Sequence, residues 1–446
     1  MKEKNEENNN NINEETKFLK NKPSSDELNE IDKKNELCAN LLNFSDGLSS
    51  FSNLAITFYF KENLKLSPSQ SALFQSILSF PFILKPLFGL ISDIYPFFGY
   101  KRKTYLILNG FIIFICWLFL SLFNHTVIST LTILFIKSMS KSFLTACASA
   151  VLVEISKKRS ENKKKLENFN TSIIYINLGT ILSSVTRGIA LEYFPTKLMF
   201  FISAILSCLD IIAGITYYEI KSNKSNNIYE KDNKINQIKQ FGELVRQRKI
   251  FLLLIYMLIV TIVPSYYESS FYYLSDVKGF TKRNFGHLTI LLMVLFLVNS
   301  VLNKKYLNSF QPKKVIIFTT IIAYLFSSVY NLYIYFDLKP KIIVFIGVSL
   351  YIQFKSLSAK PIFNLAFLVC PKGYEGSIMG LFYSARDFGD TLASLFGSYL
   401  AYFFDIQNKR YTTYSQMIFI INLISLFPIL FINIINDKSI SLIQEN

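Results

Sequence analysis

Long apolar runs without a charge constrain this chain more than any other feature. Thr104–Phe123 is twenty residues long and uncharged, and Ile250–Val263 adds fourteen more. A bilayer's hydrocarbon core is about 30 Å thick, which about 20 helical residues cross. No water is available there to hydrogen-bond the main chain, so each span must satisfy its own N–H and C=O groups, as a helix does. The runs are too long and too uniformly apolar for the alternating strands of a membrane barrel. Spans are expected near 37–60, 67–95, 104–123, 127–155, 168–186 and 198–219, and again near 250–273, 284–303, 315–338, 342–368, 375–403 and 412–436. Composition agrees: only 17 % of residues are charged, where a water-soluble chain carries about a quarter.

The segments between the spans carry the charge. Residues 1–36 hold ten acidic and seven basic side chains among Asn and Ser, which reads as a disordered cytoplasmic tail and neither a signal nor a transit peptide. The expected division is that tail, an N-terminal six-helix bundle over 37–219, a cytoplasmic linker over 220–249, a C-terminal six-helix bundle over 250–436 and a short cytoplasmic C-terminus over 437–446. Thirty loop and tail Lys and Arg fall on the side of both termini and eleven on the other. The positive-inside rule makes the richer side cytoplasmic. The net charge of +16 is therefore topological and lipid-facing, with no nucleic-acid partner implied. Five cysteines without paired spacing and two histidines give neither a disulfide framework nor a metal centre, and no motif calls for a cofactor.

The two sets of spans look duplicated. Phe58-Tyr59-Phe60 matches Phe271-Tyr272-Tyr273 about 213 residues later, and at that offset Lys141 falls one residue from Lys355. Parallel six-helix repeats about an axis normal to the membrane are the architecture of major-facilitator transporters, with the binding site near the midplane between the halves. The expected class is thus all-α integral membrane, twelve transmembrane helices in two pseudo-symmetric six-helix bundles, the major-facilitator fold.

Between spans 2 and 3, Gly89-Leu90-Ile91-Ser92-Asp93 leads through Gly99 to Lys101-Arg102-Lys103, which resembles the major-facilitator signature. A glycine permits close helix approach, and a carboxylate at the membrane surface can pair with Arg102 and cap span 11 near Gly376–Gly380. Gly89, Asp93, Arg102 and Glu154 are accordingly the expected cytoplasmic gate. Read from Lys85-Pro86 through Thr104-Tyr105, together with Phe60–Gln70 and the segment Ser270–Gly286, the chain resembles the folate–biopterin transporter family. The resemblance implies alternating-access, proton-linked uptake of folates or pterins; a monomer in the plasma membrane or an organelle membrane is expected, and with no GxSxG elbow, phosphate-cradling glycine loop or HExxH in the chain no enzymatic activity is expected. It leaves open another metabolite, such as S-adenosylmethionine or another organic anion, and a non-transporting receptor or scaffold is the reading from a different class.

Six basic residues lie inside spans: Lys85, Lys137, Lys141, Lys355, Lys360 and Arg386. At a helix centre each costs roughly 2.5–3.5 kcal/mol on insertion scales, so each needs a partner, a snorkelling route or a cavity. Lys137 and Lys141 stand four apart on span 4, with Lys355 and Lys360 on its counterpart, span 10. The resemblance places spans 1, 4, 7 and 10 around the cavity, so the two basic patches are expected to face each other across an anionic substrate. Lys85 either faces the cavity or satisfies carbonyls freed by Pro86, and Arg386 is expected to pair with Asp390 or touch the ligand. Asp46 is the candidate acceptor for the paired N–H donors of a pterin, or a proton carrier. The aromatic cluster of span 7 reads first as core packing or an interfacial belt, and Tyr267 within it is the candidate stacking surface for a planar ring.

Overall fold

The computed structural model describes residues 25–123, 125–158, 162–219, 239, 242–305, 311–369, 375–406 and 411–434. Helices stand at all twelve expected positions, and no strand occurs among the described residues. Span 1 is two helices, α1 (Ser25–Leu48) and α2 (Phe51–Phe58), ending in a π turn over Tyr59–Asn63. Span 2 comprises α3 (Pro68–Ser79), a 3-10 turn over Phe80–Leu84 and α4 (Lys85–Ile94). Then come α5 (Lys103–Leu122), α6 (Val127–Lys158), α7 (Asn162–Tyr193) and α8 (Thr196–Thr216). Span 7 is again broken, into α9 (Arg248–Thr261) and α10 (Tyr267–Asp276). The remaining spans are α11 (Lys282–Lys305), α12 (Pro312–Tyr335), α13 (Lys341–Val369), α14 (Glu375–Phe403) and α15 (Tyr414–Ser425), which continues into the short α16 (Phe427–Leu430).

Local chemistry sets several of these boundaries. Ser67 caps α3 with its side chain while Gln70 reaches back to the Ser67 N–H, a reciprocal arrangement that satisfies two orphan donors, and Pro68 occupies the first helical position. Pro264 ends α9, because it has no N–H to donate and holds Val263 out of the helical region. The Ser265 N–H then donates to Ala393 O at 2.9 Å. At the other end of the chain, α1 begins at Ser25, so the helix takes up residues 25–36 that the sequence assigns to a disordered tail. The cause is that its polar N-terminal turns project beyond the apolar layer, where hydropathy carries no helical signal.

Eight of the described helical spans are long and apolar enough to cross a membrane by length and composition alone. The others have local reasons for falling short. Spans 1 and 7 are broken, α14 carries Arg386, Asp387 and Asp390, and α11 has basic residues at both ends.

The two halves pack on each other most extensively at one end. At the end bearing residues 61–67, α3 packs on α10 and α14, and α7 packs on α11. Phe58 meets Phe271 edge to face with ring centroids 5.0 Å apart, and one apolar core runs through residues of both halves. Lys61 pairs with Asp276 at 2.6 Å and Glu62 with Lys282 at 3.1 Å. At the opposite end a separate apolar cluster belongs to the C-terminal half alone. A Cβ built on Gly89 or on Gly380 would there meet nothing within 4 Å. Among the described residues Gly89 therefore has open space beside it and is not a point of close helix approach.

Candidate functional site

Each half encloses a crevice at an equivalent place. In the N-terminal half it lies between α1, α5, α6 and α8, and Ser45, Ser49, Lys137, Lys141, Ser207 and Asp210 line it. In the C-terminal half it lies between α9, α12, α13 and the α15–α16 segment, with Val260, Thr320, Tyr351, Lys355 and Ser358 among its walls. These are spans 1, 3, 4 and 6 in one half and 7, 9, 10 and 12 in the other, so the duplication seen in sequence governs the position of the crevices.

Their chemistry differs. Lys141 Nζ lies 3.3 Å from Asp46 Oδ1 and 3.8 Å from Asp210 Oδ2. The Lys141 and Asp210 side chains are 5 % and 3 % exposed, whereas that of Asp46 is 40 % exposed. A buried ammonium is tolerable when carboxylates compensate it, and two do so here. Lys137 sits over the Trp117 ring, 5.0 Å from its centroid, a placement that suits a cation. Both lysines of α6 are thus turned into their own half, with Lys141 neutralised there, instead of facing Lys355 across the cavity as bare charges. Lys355 is half-buried beside the Tyr351 ring, 6.0 Å from its centroid. It has no carboxylate within 4.0 Å among the described residues.

The Asp46 side chain is 40 % exposed, and those of Arg386 and Asp390 in the other half are 44 % and 58 % exposed. Tyr267 is 54 % exposed. Its neighbours Tyr266, Phe271, Tyr272 and Tyr273 are buried packing, Tyr266 being stacked between Tyr330 and Tyr351 at 5.9 and 5.3 Å. Of that aromatic cluster only Tyr267 presents its ring. Arg386 lies 3.8 Å from Asp390 one turn on and 3.4 Å from Asp387. Lys85 does not serve the carbonyls freed by Pro86. Its Nζ donates to Asp387 Oδ2 at 2.8 Å, a bond between the halves.

The gate residues divide. Arg102 Nη1 donates to Ser92 Oγ at 2.6 Å, while the side chains of Asp93 and Glu154 lie outside the described ones. Sequence reasoning missed Glu219, whose carboxylate accepts the backbone N–H groups of Lys101, Arg102 and Lys103 at 2.6, 3.0 and 2.9 Å. An anion suits the positive start of α5. It also left without a role Glu268, which accepts from Ser71 Oγ across the halves at 3.0 Å, and it counted Arg187 as a loop residue.

Two pseudo-symmetric helical bundles packed on each other, each with a crevice at the equivalent place, define a multi-pass membrane protein of the major-facilitator class. Solved structures agree on the fold. The nucleoside transporter NupG superposes with a TM-score of 0.68 at 14 % identity, covering 90 % of this chain and 99 % of its own. A D-xylose-proton symporter gives 0.66 at 13 % identity, covering 91 % and 97 %. The model of the BT1 family matches residues 46–446, and the chain belongs to that family. It is similar to Folate transporter 1 of Plasmodium falciparum, 25 % identical over 91 % of this chain and 80 % of that protein. It is likewise similar to the Folate-biopterin transporter of Synechocystis, 25 % identical over 88 % and 80 %. The chain is an integral membrane transporter and not an enzyme.

Proposed function

We propose that the protein carries a folate or pterin across a membrane by alternating access with a proton as coupling ion, and that the end opposite residues 61–67 is cytoplasmic. The unequal neutralisation of two equivalent lysines carries this reading. Lys141 is balanced by Asp46 and Asp210, whereas Lys355 has no such partner among the described residues and so offers its charge to a ligand. A folate joins a planar ring bearing adjacent N–H donors to a tail bearing carboxylates. Asp46 suits the donors, the Tyr267 ring suits the planar system, and Lys355 suits the negative tail. Lys137 and Arg386 border this arrangement as supporting cations. Relatives named for folate and biopterin transport support the same substrate class.

The orientation rests on thirty basic loop and tail residues against eleven. On that assignment Lys61–Asp276 and Glu62–Lys282 close the outer end, and Gly89, Asp93, Arg102 and Glu154 belong to the inner gate that closes when the carrier turns outward. The chain acts as a monomer, with 220–249 as the cytoplasmic linker between its halves.

Reconstituted protein assayed with labelled folates, pterins and p-aminobenzoate, with and without a pH gradient, is the test. Saturable accumulation of a folate or pterin that rises with an inward proton gradient is expected. Binding without accumulation would make the protein a receptor. Accumulation that folates do not compete against would assign another cargo.

A further inference from the structure

α7 continues to Tyr193 and so carries Arg187 inside the fold. The residue is 8 % exposed. Its Nη1 donates to Ser50 O at 2.8 Å, in the break between α1 and α2, and its Nε has no acceptor. Among the described residues no carboxylate lies within 4.0 Å of it. A guanidinium keeps its charge and presents five donors in a rigid fork. Burying it against one backbone carbonyl leaves most of that capacity unused, at a cost that an arriving anion would offset.

Its surroundings lead to the cavity. The next residue, Gly188, packs against Gly286 of the other half, so Arg187 stands where the two bundles meet under the closed end. Ser49 and Ser52, on either side of the Ser50 carbonyl that it binds, line the N-terminal crevice. Ser50, which anchors it, follows Asp46 by four residues, about 6 Å along a helix axis at 1.5 Å per residue. The guanidinium therefore lies about one turn beyond Asp46, toward the closed end.

We propose that Arg187 is a carboxylate-binding residue of the transport site, using its free donors to grip an acid group on the substrate while the ring end engages Asp46. This deepens the reading of the chain as a folate carrier and rests on it, since it requires a cargo with at least one carboxylate and favours a tailed folate over a bare pterin. The competing role is a brace for the broken helix through Ser50 O. A brace alone would affect every ligand equally.

The test compares wild type, Arg187→Lys and Arg187→Gln as full-length reconstituted protein, with folic acid, p-aminobenzoylglutamate and a pterin lacking any carboxylate as probes. Arg187→Gln should raise Kd about 10–100-fold for the two carboxylates, as expected for losing a charge-assisted bidentate contact, and leave the pterin within about twofold. Arg187→Lys should fall between, because it keeps the charge and loses the fork. Unchanged affinity for the carboxylates, or equal loss for all three probes, overturns the proposal. If wild type binds none of the three, the folate reading has failed by itself, and simple mono- and dicarboxylates become the probes. One that stabilises wild type and not Arg187→Gln upholds the role of Arg187, and none doing so overturns it. If Arg187→Gln does not fold, Arg187→Lys decides by the same selectivity.

Discussion

Gly188 of α7 and Gly286 of α11 meet backbone to backbone across the two halves, so that a methyl group built on either would overlap the other's Cα. The contact exists only with that end closed, and leucine at either position should hold it open. Overpacking of this kind costs roughly 1–3 kcal/mol, which moves a two-state equilibrium by about 5- to 150-fold. A cysteine placed at Ser71, fully buried here, reports the change in a cysteine-free background. Fast alkylation from the outer side is expected in Gly188→Leu and slow alkylation in its parent. Equal rates would show that the glycines do not govern closure.

The ion pairs at the same end should act as a latch. Lys61 and Asp276 are 15 % and 14 % exposed and 2.6 Å apart. Glu62 and Lys282 are more exposed, at 46 % and 29 %, and pairs of that kind contribute little. Asp276→Asn should therefore loosen the closed end more than Glu62→Gln does. Exchanging the charges, Lys61→Asp with Asp276→Lys, should recover part of the loss, with a coupling energy of about 1 kcal/mol in a double-mutant cycle. Recovery will be incomplete because Tyr411 Oη also donates to Asp276, at 2.8 Å.

The two equivalent lysines should fail in different ways. Lys141→Gln strands Asp46 and Asp210 without their cation, and removing one partner of a buried pair costs about 3–5 kcal/mol. A lower Tm and the loss of uptake for all substrates are expected. Lys355→Gln should leave Tm unchanged and weaken a carboxylate-bearing substrate by about tenfold, with a neutral pterin spared. Thermal melts read beside competition binding separate the two outcomes, and a selective loss in Lys141→Gln would reverse the assignment.

At the end opposite residues 61–67, space around Gly89 and Gly380 means that Gly89→Val and Gly380→Val should fold and bind ligand as the parent does. Their effect should appear in turnover, because closure must bring that region together. Asp93→Asn should likewise keep binding and slow transport. Loss of binding in a folded Asp93→Asn protein would remove Asp93 from the gate.

Sequence shows this architecture well because hydropathy and the repeat near 213 residues are properties of whole segments, and the membrane imposes them regardless of detail. Pairings across the fold carry no such local mark. Lys85 next to Pro86 reads as a kink residue until Asp387, three hundred positions away, is found beside it at 2.8 Å. Arg187 was obscured by a boundary: taking the apolar run to stop at the first charge put residues 187–197 in a loop, whereas the helix carries Arg187 and Glu192 on to Tyr193. The break at Ser49–Ser50 lacks a proline, so only the structure reveals it. Spacing on α6 correctly brings Lys137 and Lys141 to one crevice, yet the two carboxylates around Lys141 come from other helices and reverse its expected availability.

The closed charge balance around Lys141 has a consequence for biogenesis. Asp46, Lys141 and Asp210 all belong to the first six spans, and a chain is synthesised from its N-terminus, so its earlier units can fold first. The ammonium of Lys141 can find both counterions before residue 250 has left the ribosome. Lys85 cannot, since Asp387 is made much later. The order of synthesis therefore leaves the Lys141 cluster neutralised early in the bilayer, while Lys85 of the same half waits for a carboxylate that only the second half supplies.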